Sequence, residues 1–176
     1  MDAFLAEVER KAFVIAQISL RNHEDALDIV QDAMIRLVTS YSSRPQAEWK
    51  PLFYRILRNR IVDHQRRGNV RRRFMAWLPL YEDAPDPVAE APGTISDQPD
   101  RRLEITESMD SLEQAVAALP ERQQQAFLLR TVEGLDVAAT AMAMGCSAGS
   151  VKTHYSRAVH RLRANLSEHW ESSGHD

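Results

Sequence analysis

Between residues 79 and 99 the chain carries five of its eight prolines, and the six acids from Glu82 to Asp100 are interrupted by no base. Such a stretch lacks a backbone donor at each proline and repels itself along its length. It reads as an extended, solvated linker that no core can be built around. A 176-residue chain divided there leaves two blocks, each the size of a small domain. The expected organisation is a domain over 1–77, a linker over 78–103, a domain over 104–170 and a tail over 171–176.

Both blocks carry apolar residues at helical spacing, and neither carries strand-like alternation. The expected fold is all-α, with two small helical domains joined by an acidic Pro-rich linker. In the first block Phe4, Leu5, Val8, Ala12, Ile15 and Ala16 share one face of a helix over 3–20. Asn22 is placed to cap a second helix, whose stripe is Ala26, Ile29, Val30, Ala33, Met34, Leu37, Val38 and Tyr41. A third helix is expected after Pro45 with Pro51 in its first turn. Its stripe of Leu52, Phe53, Ile56 and Leu57 shifts phase at Ile61, which predicts a bend near Asn59 and a separate short helix over 70–77. In the second block Leu112, Ala115, Val116 and Leu119 form one stripe, and Pro120 opens a helix from Glu121 to Val132 that Gly134 ends.

From Asp136 onward the spacing is that of a helix-turn-helix. Asp136 caps a short helix over Val137–Met144, Gly145 supplies a left-handed turn, and Ser147 caps a last helix reaching Ser167. Ala141, Gly145 and Val151 supply the small crossing residue, the turn and the apolar anchor that the motif needs. Val151, Tyr155, Ala158, Val159 and Leu162 make the buried stripe of the last helix. The opposite face presents Ser147, Ser150, Lys152, Thr153, His154, Ser156, Arg157 and Arg161, all able to donate to phosphates or base edges and none acidic. A helical hairpin docking on another protein is the alternative.

The formal net charge of −3 conceals how charge is placed. Residues 55–75 hold eight arginines and one acid, Asp63, for a net of +7, and residues 76–111 carry −7. Arginine makes up 19 of the 22 basic residues, and its planar fork suits phosphate and base edges. The basic stretch includes Arg55, Arg58, Asn59, Arg60, Asp63, His64, Arg66 and Arg67, flanked by Trp49, Phe53 and Tyr54 before it and Phe74 and Trp77 after it. Cations, amides and aromatic rings together are how proteins hold single-stranded nucleic acid. For Phe53 core packing is the favoured reading; for Trp49 and Tyr54 core and base-stacking roles stay open. Folding of the acidic linker back onto this helix, to suppress non-specific DNA binding, is a further expectation.

The second helix has one face that core packing does not use. Asp28, Gln31, Asp32 and Ile35, with Glu24, lie opposite its apolar stripe. This is either an ordinary solvated face with one stray isoleucine or a partner surface.

Taken together, these segments resemble the extracytoplasmic-function sigma factors, the smallest promoter-recognition subunits of bacterial RNA polymerase. The resemblance rests on NHEDALDIVQDAMIRL at 22–37, LFYRILRNRIVDHQRR at 52–67, LPERQQQAFLLRTVEGL at 119–135 and MGCSAGSVKTHYSRAVHRLR at 144–163, four segments in the family's order. It implies that Asp28, Gln31, Asp32 and Ile35 bind the clamp helices of the core polymerase largest subunit. It implies that 52–73 melts and reads the minus-ten element, with Asn59 and its neighbours on an extruded base and the arginines on the strand backbone. The helix from Ser147 would read the minus-thirty-five element as duplex, held at the polymerase flap, and the linker would thread near the RNA exit path. Promoter DNA and core polymerase are the implied partners, with an anti-sigma protein as a further one. The chain departs from the family pattern at Leu52, where Trp is common, at the Val-Ala-Ala-Thr-Ala run of 137–141, where glutamates are common, and at His154, where Arg is common.

No phosphate-binding glycine loop, catalytic carboxylate pair or nucleophile–base arrangement is present, so an enzyme is not expected. Neither a cofactor nor a metal is expected: Cys146 is the sole cysteine, and His154 and His160 lie on different helix faces. The longest apolar runs fall short of the roughly 18 residues that a bilayer span needs. Acids precede any base at the N-terminus, unlike a signal peptide, and a cytoplasmic location follows as the expectation. Two rivals remain at this point: a stand-alone helix-turn-helix regulator, and a sigma-like decoy for an anti-sigma protein.

Overall fold

The computed structural model describes residues 1–75 and 109–173, with side chains over 1–68 and 109–166. The linker and its expected fold-back on the arginine helix lie outside the described residues. Those residues form seven helices: α1 Asp2–Leu20, α2 His23–Tyr41, α3 Gln46–Met75, α4 over 109–117, α5 Glu121–Thr131, α6 Val137–Met144 and α7 Ala148–Ser173. No strand occurs among them, and none of their helices is long and apolar enough to cross a membrane.

In the N-terminal part, α1 buries Phe4, Val8, Ala12, Ile15 and Ala16 against α2 and α3. Alanines at positions 12, 16, 26 and 33 are fully covered, which lets the backbones of α1 and α2 approach closely. Arg21 closes α1 in the left-handed region (φ 56°), its N–H reaching Gln17 O at 2.8 Å. Asn22 then caps α2, its Oδ1 accepting from the Asp25 N–H at 3.0 Å. The stripe predicted for α2 is buried at Ala26, Ile29, Val30, Ala33 and Leu37. Val38 departs from it and stands 40% exposed.

The third helix differs most from expectation. It runs without interruption for 30 residues from Gln46, so Pro51 sits in its second turn, and no separate helix starts at residue 70. Phe53, Leu57 and Ile61 recur at four-residue spacing on one buried face, and Tyr54 beside them is also buried. The apparent phase shift has a physical cause. Elements of both domains, α1 and α2 from one and α6 from the other, pack on α3. The buried arc is therefore wider than one amphipathic stripe, and no bend is needed to satisfy it.

The C-terminal part follows the predicted caps closely. Asp136 Oδ1 accepts from the Ala139 N–H at 2.7 Å and Ser147 Oγ from the Ser150 N–H at 3.1 Å. Gly134 (φ 77°) and Gly145 (φ 62°) take the left-handed conformations that a side chain would strain. The last helix extends to Ser173, past the expected Ser167. Gln124 is buried and donates through Nε2 to Val116 O at 3.0 Å, tying the end of α4 to α5. The described residues of both domains contribute to one continuous buried cluster, with α6 lying along α3 and α5 touching α1.

Candidate nucleic-acid and polymerase interfaces

The structure offers three polar surfaces, one on each of α2, α3 and α7. On α2, Asp28, Gln31, Asp32 and Ile35 are all exposed, Ile35 to 60%. Leu27 and Val38 flank them as exposed apolar residues. Periodicity places Val38 on the core stripe, and Leu27 sits off that stripe between Ala26 and Asp28, so the sequence pattern marks neither as exposed. Exposed at a spacing of four, four and three, Leu27, Gln31, Ile35 and Val38 line one face of α2 with Asp28 and Asp32 beside them.

The edge of this face turns into a cleft against α3. Asp25, Asp28 and Asp32 line it from α2, and Arg60, Asp63, His64 and Arg67 from α3. Arg60 Nη1 lies 4.0 Å from Asp32 and His64 Nε2 lies 3.3 Å from Asp25. The acids partly neutralise the cations, so the two surfaces share a boundary and are not independent.

On α3 the basic residues divide into two groups. Arg55, Asn59, Asp63, Arg66 and Arg67 are exposed and fall on one stripe. Arg60 and His64 sit at its flank. Trp49 and Tyr54 are placed otherwise. Trp49 is half-buried, its ring edge-on to Phe4 at 5.8 Å and its Nε1 donating to Arg44 O at 2.9 Å. Tyr54 is 1% exposed, packs edge-on against Phe53 and donates its hydroxyl to Glu133 of the C-terminal domain. In this arrangement the Tyr54 ring offers no face to a base. Arg58, with 17% of its side chain exposed, also turns to the C-terminal domain. Its Nε donates to Gln125 Oε1 at 2.9 Å, its Nη2 lies 3.9 Å from Glu121, and its Nη1 donates to Asn59 Oδ1 at 3.1 Å.

Glu133 is the residue that sequence reading did not single out. An acid beside Gly134 at a helix end looks like surface, yet its side chain is 1% exposed. Lys50 Nζ lies 2.9 Å from Glu133 Oε1 and 2.9 Å from Glu7 Oε1, so one cation joins acids of both domains. The contact with Glu133 is an ion pair at an angle that leaves Oε1 without an aligned donor. The close Glu133 carboxylate holds the Lys50 ammonium above its ordinary value, against the opposing effect of burial. Burial, reinforced by Glu133, pushes the Tyr54 phenol well up. Burial and the nearby Arg122 charge lower the Arg58 guanidinium.

The α7 surface is open. Ser147, Lys152, Thr153, Ser156, Arg157 and Arg161 are exposed, and Ser150 and His154 half-exposed. Val151, Ala158 and Leu162 hold the opposite face in the core. Tyr155 stacks on Phe127 with ring centroids 6.3 Å apart, and Arg130 lies 5.9 Å over the Tyr155 ring. Arg122 Nη1 donates to Met144 O at 2.9 Å and anchors the turn from α5. The turn is closed by the Cys146 N–H on Ala141 O at 3.1 Å. The eight polar residues of this face, Ser147 at the cap and seven on α7, therefore stand on a turn held by hydrogen bonds and a packed stripe.

A helix-turn-helix with an open basic face, preceded by a three-helix unit with a basic ridge, is the layout of an RNA polymerase sigma subunit. The family description "Sigma-70 region 2" matches residues 4–72, and "Sigma-70, region 4" matches residues 109–162. The extracytoplasmic-function RNA polymerase sigma factor SigM of Mycobacterium tuberculosis is 30% identical over 162 residues, covering 92% of this chain and 74% of SigM. The ferric citrate uptake sigma factor FecI of Escherichia coli is 27% identical over 140 residues, covering 80% of this chain and 75% of FecI. In fold, the chain is similar to the sigma factor RpoE of Bartonella quintana, solved in complex with the anti-sigma factor NepR. The TM-score is 0.65 at 22% identity, covering 95% of this chain and 98% of RpoE. The chain belongs to the extracytoplasmic-function sigma factors. It is accordingly a transcription initiation factor and not an enzyme. Among the described residues no group of three His, Cys, Asp or Glu is placed to hold a metal.

Proposed function

We propose that this sigma factor directs core RNA polymerase to promoters through three surfaces, two of which meet along one edge. The exposed face of α2, with Asp28, Gln31, Asp32 and Ile35, docks on the clamp helices of the largest subunit. An apolar residue amid acids suits a partner that is basic around a small apolar socket. The ridge of α3 takes the minus-ten element as a melted strand, with Arg55, Arg60, Arg66 and Arg67 on phosphates and Asn59, Asp63 and His64 at base edges. Trp49 flanks this surface from its half-buried place beside Phe4, and Tyr54 and Arg58 join it only where the C-terminal domain stands away from it. The face of α7 enters the major groove of the minus-thirty-five duplex, with the helix end at Ser147 on the phosphate backbone and Arg157 and Arg161 along the groove. The flap of the polymerase holds this second domain. The domain limits that fit this division are 1–77 and 104–170.

The observation that carries the reading is the pairing of an exposed, acid-free donor face on α7 with a second exposed basic stripe on α3. A stand-alone regulator would use the first and leave the second idle. The deciding experiment adds the chain to sigma-free core polymerase with promoter-bearing genomic fragments. Transcripts starting at defined positions are expected; uniform or absent transcription removes the reading. An anti-sigma protein is a further proposed partner, on the strength of the NepR complex of the similar RpoE.

A further inference from the structure

Most of the contacts that join the two domains fall on α3, the helix proposed to read the strand. Tyr54 donates to Glu133, Lys50 pairs with Glu133, and Arg58 binds Gln125 and faces Glu121. Three residues of α3 are thus held by three of the C-terminal domain. Two of the three, Tyr54 and Arg58, carry the ring and the guanidinium best suited to a strand. A groove with a cavity of only about 20 Å³ runs along the junction between Ile15, Leu57 and Ile61 on one side and Gln124, Leu128 and Leu129 on the other. Ionisable side chains bridge the two domains around it, and inter-domain contacts of that polar kind are the ones expected to separate. The face of α7 lies outside this junction and stays exposed.

We propose that the closed chain is a latched resting form, in which the C-terminal domain clasps α3 through Glu133, Glu121 and Gln125 and so withholds Tyr54 and Arg58 from a melted strand while leaving α7 free for duplex. The proposal rests on the strand-reading role given to α3. A single strand and the C-terminal domain then compete for the same side chains, and duplex binding is indifferent to the latch. Free chain binds strand with its intrinsic affinity reduced by the fraction that is open.

The test uses the full chain with Glu133→Gln and, separately, Lys50→Met, neither of which lies in a proposed DNA surface. Each is measured by small-angle scattering and by binding to a short mixed-sequence single strand and to a duplex at low salt. The expectation is a larger radius of gyration and roughly tenfold tighter strand binding, as for a closed form that holds about nine-tenths of the molecules, with duplex binding unchanged. Lys50→Met is the sharper arm, because loss of a cation alone would weaken binding to both. It also decides the matter if Glu133→Gln costs the C-terminal domain its helix content by circular dichroism. An unchanged radius in Lys50→Met, or strand and duplex affinities moving together, overturns the latch. Promoter-specific transcription by the parent chain is scored in parallel. Its absence would remove the sigma-factor roles without touching the scattering result, so the two failures are distinguishable.

Discussion

The helices α3 and α7 are both basic, both long and both amphipathic, yet they differ in how much of their polar face is free. On α7 the donors point into solvent and the buried stripe is narrow: Val151, Ala158 and Leu162, with Tyr155 half-covered. On α3 the buried arc takes in Phe53, Tyr54, Leu57, Ile61 and Val62, and Arg58 is drawn in with them. The difference lies in the number of neighbours. The α7 helix packs chiefly on α5 and α6 of its own domain, whereas α3 is packed from both domains. A basic helix in a sequence is therefore a statement about composition; its availability is set by the elements on either side of it.

The comparison can be broken or sharpened by substitution. The largest effect is expected from a surface belonging to neither basic helix. Asp28→Arg with Asp32→Arg should lower affinity for core polymerase by about a hundredfold or more, since like charges placed across an interface cost several kcal/mol. Duplex binding by the free chain should not fall, and surface plasmon resonance on immobilised core measures the first while fluorescence anisotropy measures the second. Next, Asn59→Ala should slow open-complex formation about tenfold, the worth of one hydrogen bond at a base edge, with closed-complex formation unaffected. Permanganate footprinting at the minus-ten element reads this directly. A normal footprint would move strand reading away from Asn59.

Arg157→Ala should show the opposite pattern. Duplex affinity falls about fivefold and the slope of log affinity against log salt shrinks by about 1, with melting unchanged once polymerase is bound. The helix-turn-helix itself is probed by Asp136→Ala. Loss of its bond to the Ala139 N–H should destabilise the C-terminal domain by about 1 kcal/mol, seen as a lower urea midpoint. The smallest effect is that of pH. Lys50 and Tyr54 hold their protons more tightly in the folded chain than their ordinary values of 10.5 and 10.0. The unfolded chain therefore releases those protons first, and stability should be flat through neutral pH and fall only as pH rises above about 10. Glu7, held below its ordinary 4.5 by Lys50, should cost a little stability as pH falls below that value. A midpoint that varied strongly between pH 6 and 9, on the order of a kcal/mol, would mean that other groups govern the junction.

The C-terminal domain was the more legible half. Its helix ends are written in local chemistry: Asp136 and Ser147 as caps, Gly134 and Gly145 as left-handed turns, each acting within four residues. What eluded sequence reading depended on residues far apart. The continuity of α3, the covering of Tyr54 and the burial of Glu133 all arise from a junction between segments 79 positions apart. A pattern read along one helix assumes one buried side. Phe53 and Tyr54, adjacent and both buried, violate that assumption, and the phase shift at Ile61 that suggests a bend reflects the same wide buried arc. Val38 erred the other way, for periodicity places a residue on a face without saying where the neighbouring helix ends. The open polar faces of α2 and α7 were legible because nothing among the described residues covers them, and the half-covered face of α3 was not.

The unbroken course of α3 has one more consequence. Thirty residues at 1.5 Å per residue make a rod about 45 Å long. Had the helix been jointed at Asn59, its arginine-bearing end could swing while Phe53 and Leu57 stayed seated. Without a joint, the angle at which Arg66 and Arg67 meet a nucleic acid is decided by packing some fifteen ångströms away, at about 1.5 Å of rise per residue. Substitutions at Leu57 or Ile61 that touch no DNA should thus re-aim the tip like a shim under the foot of a lever. Tuning of the promoter-melting step proposed for this chain would then reside in its hydrophobic core.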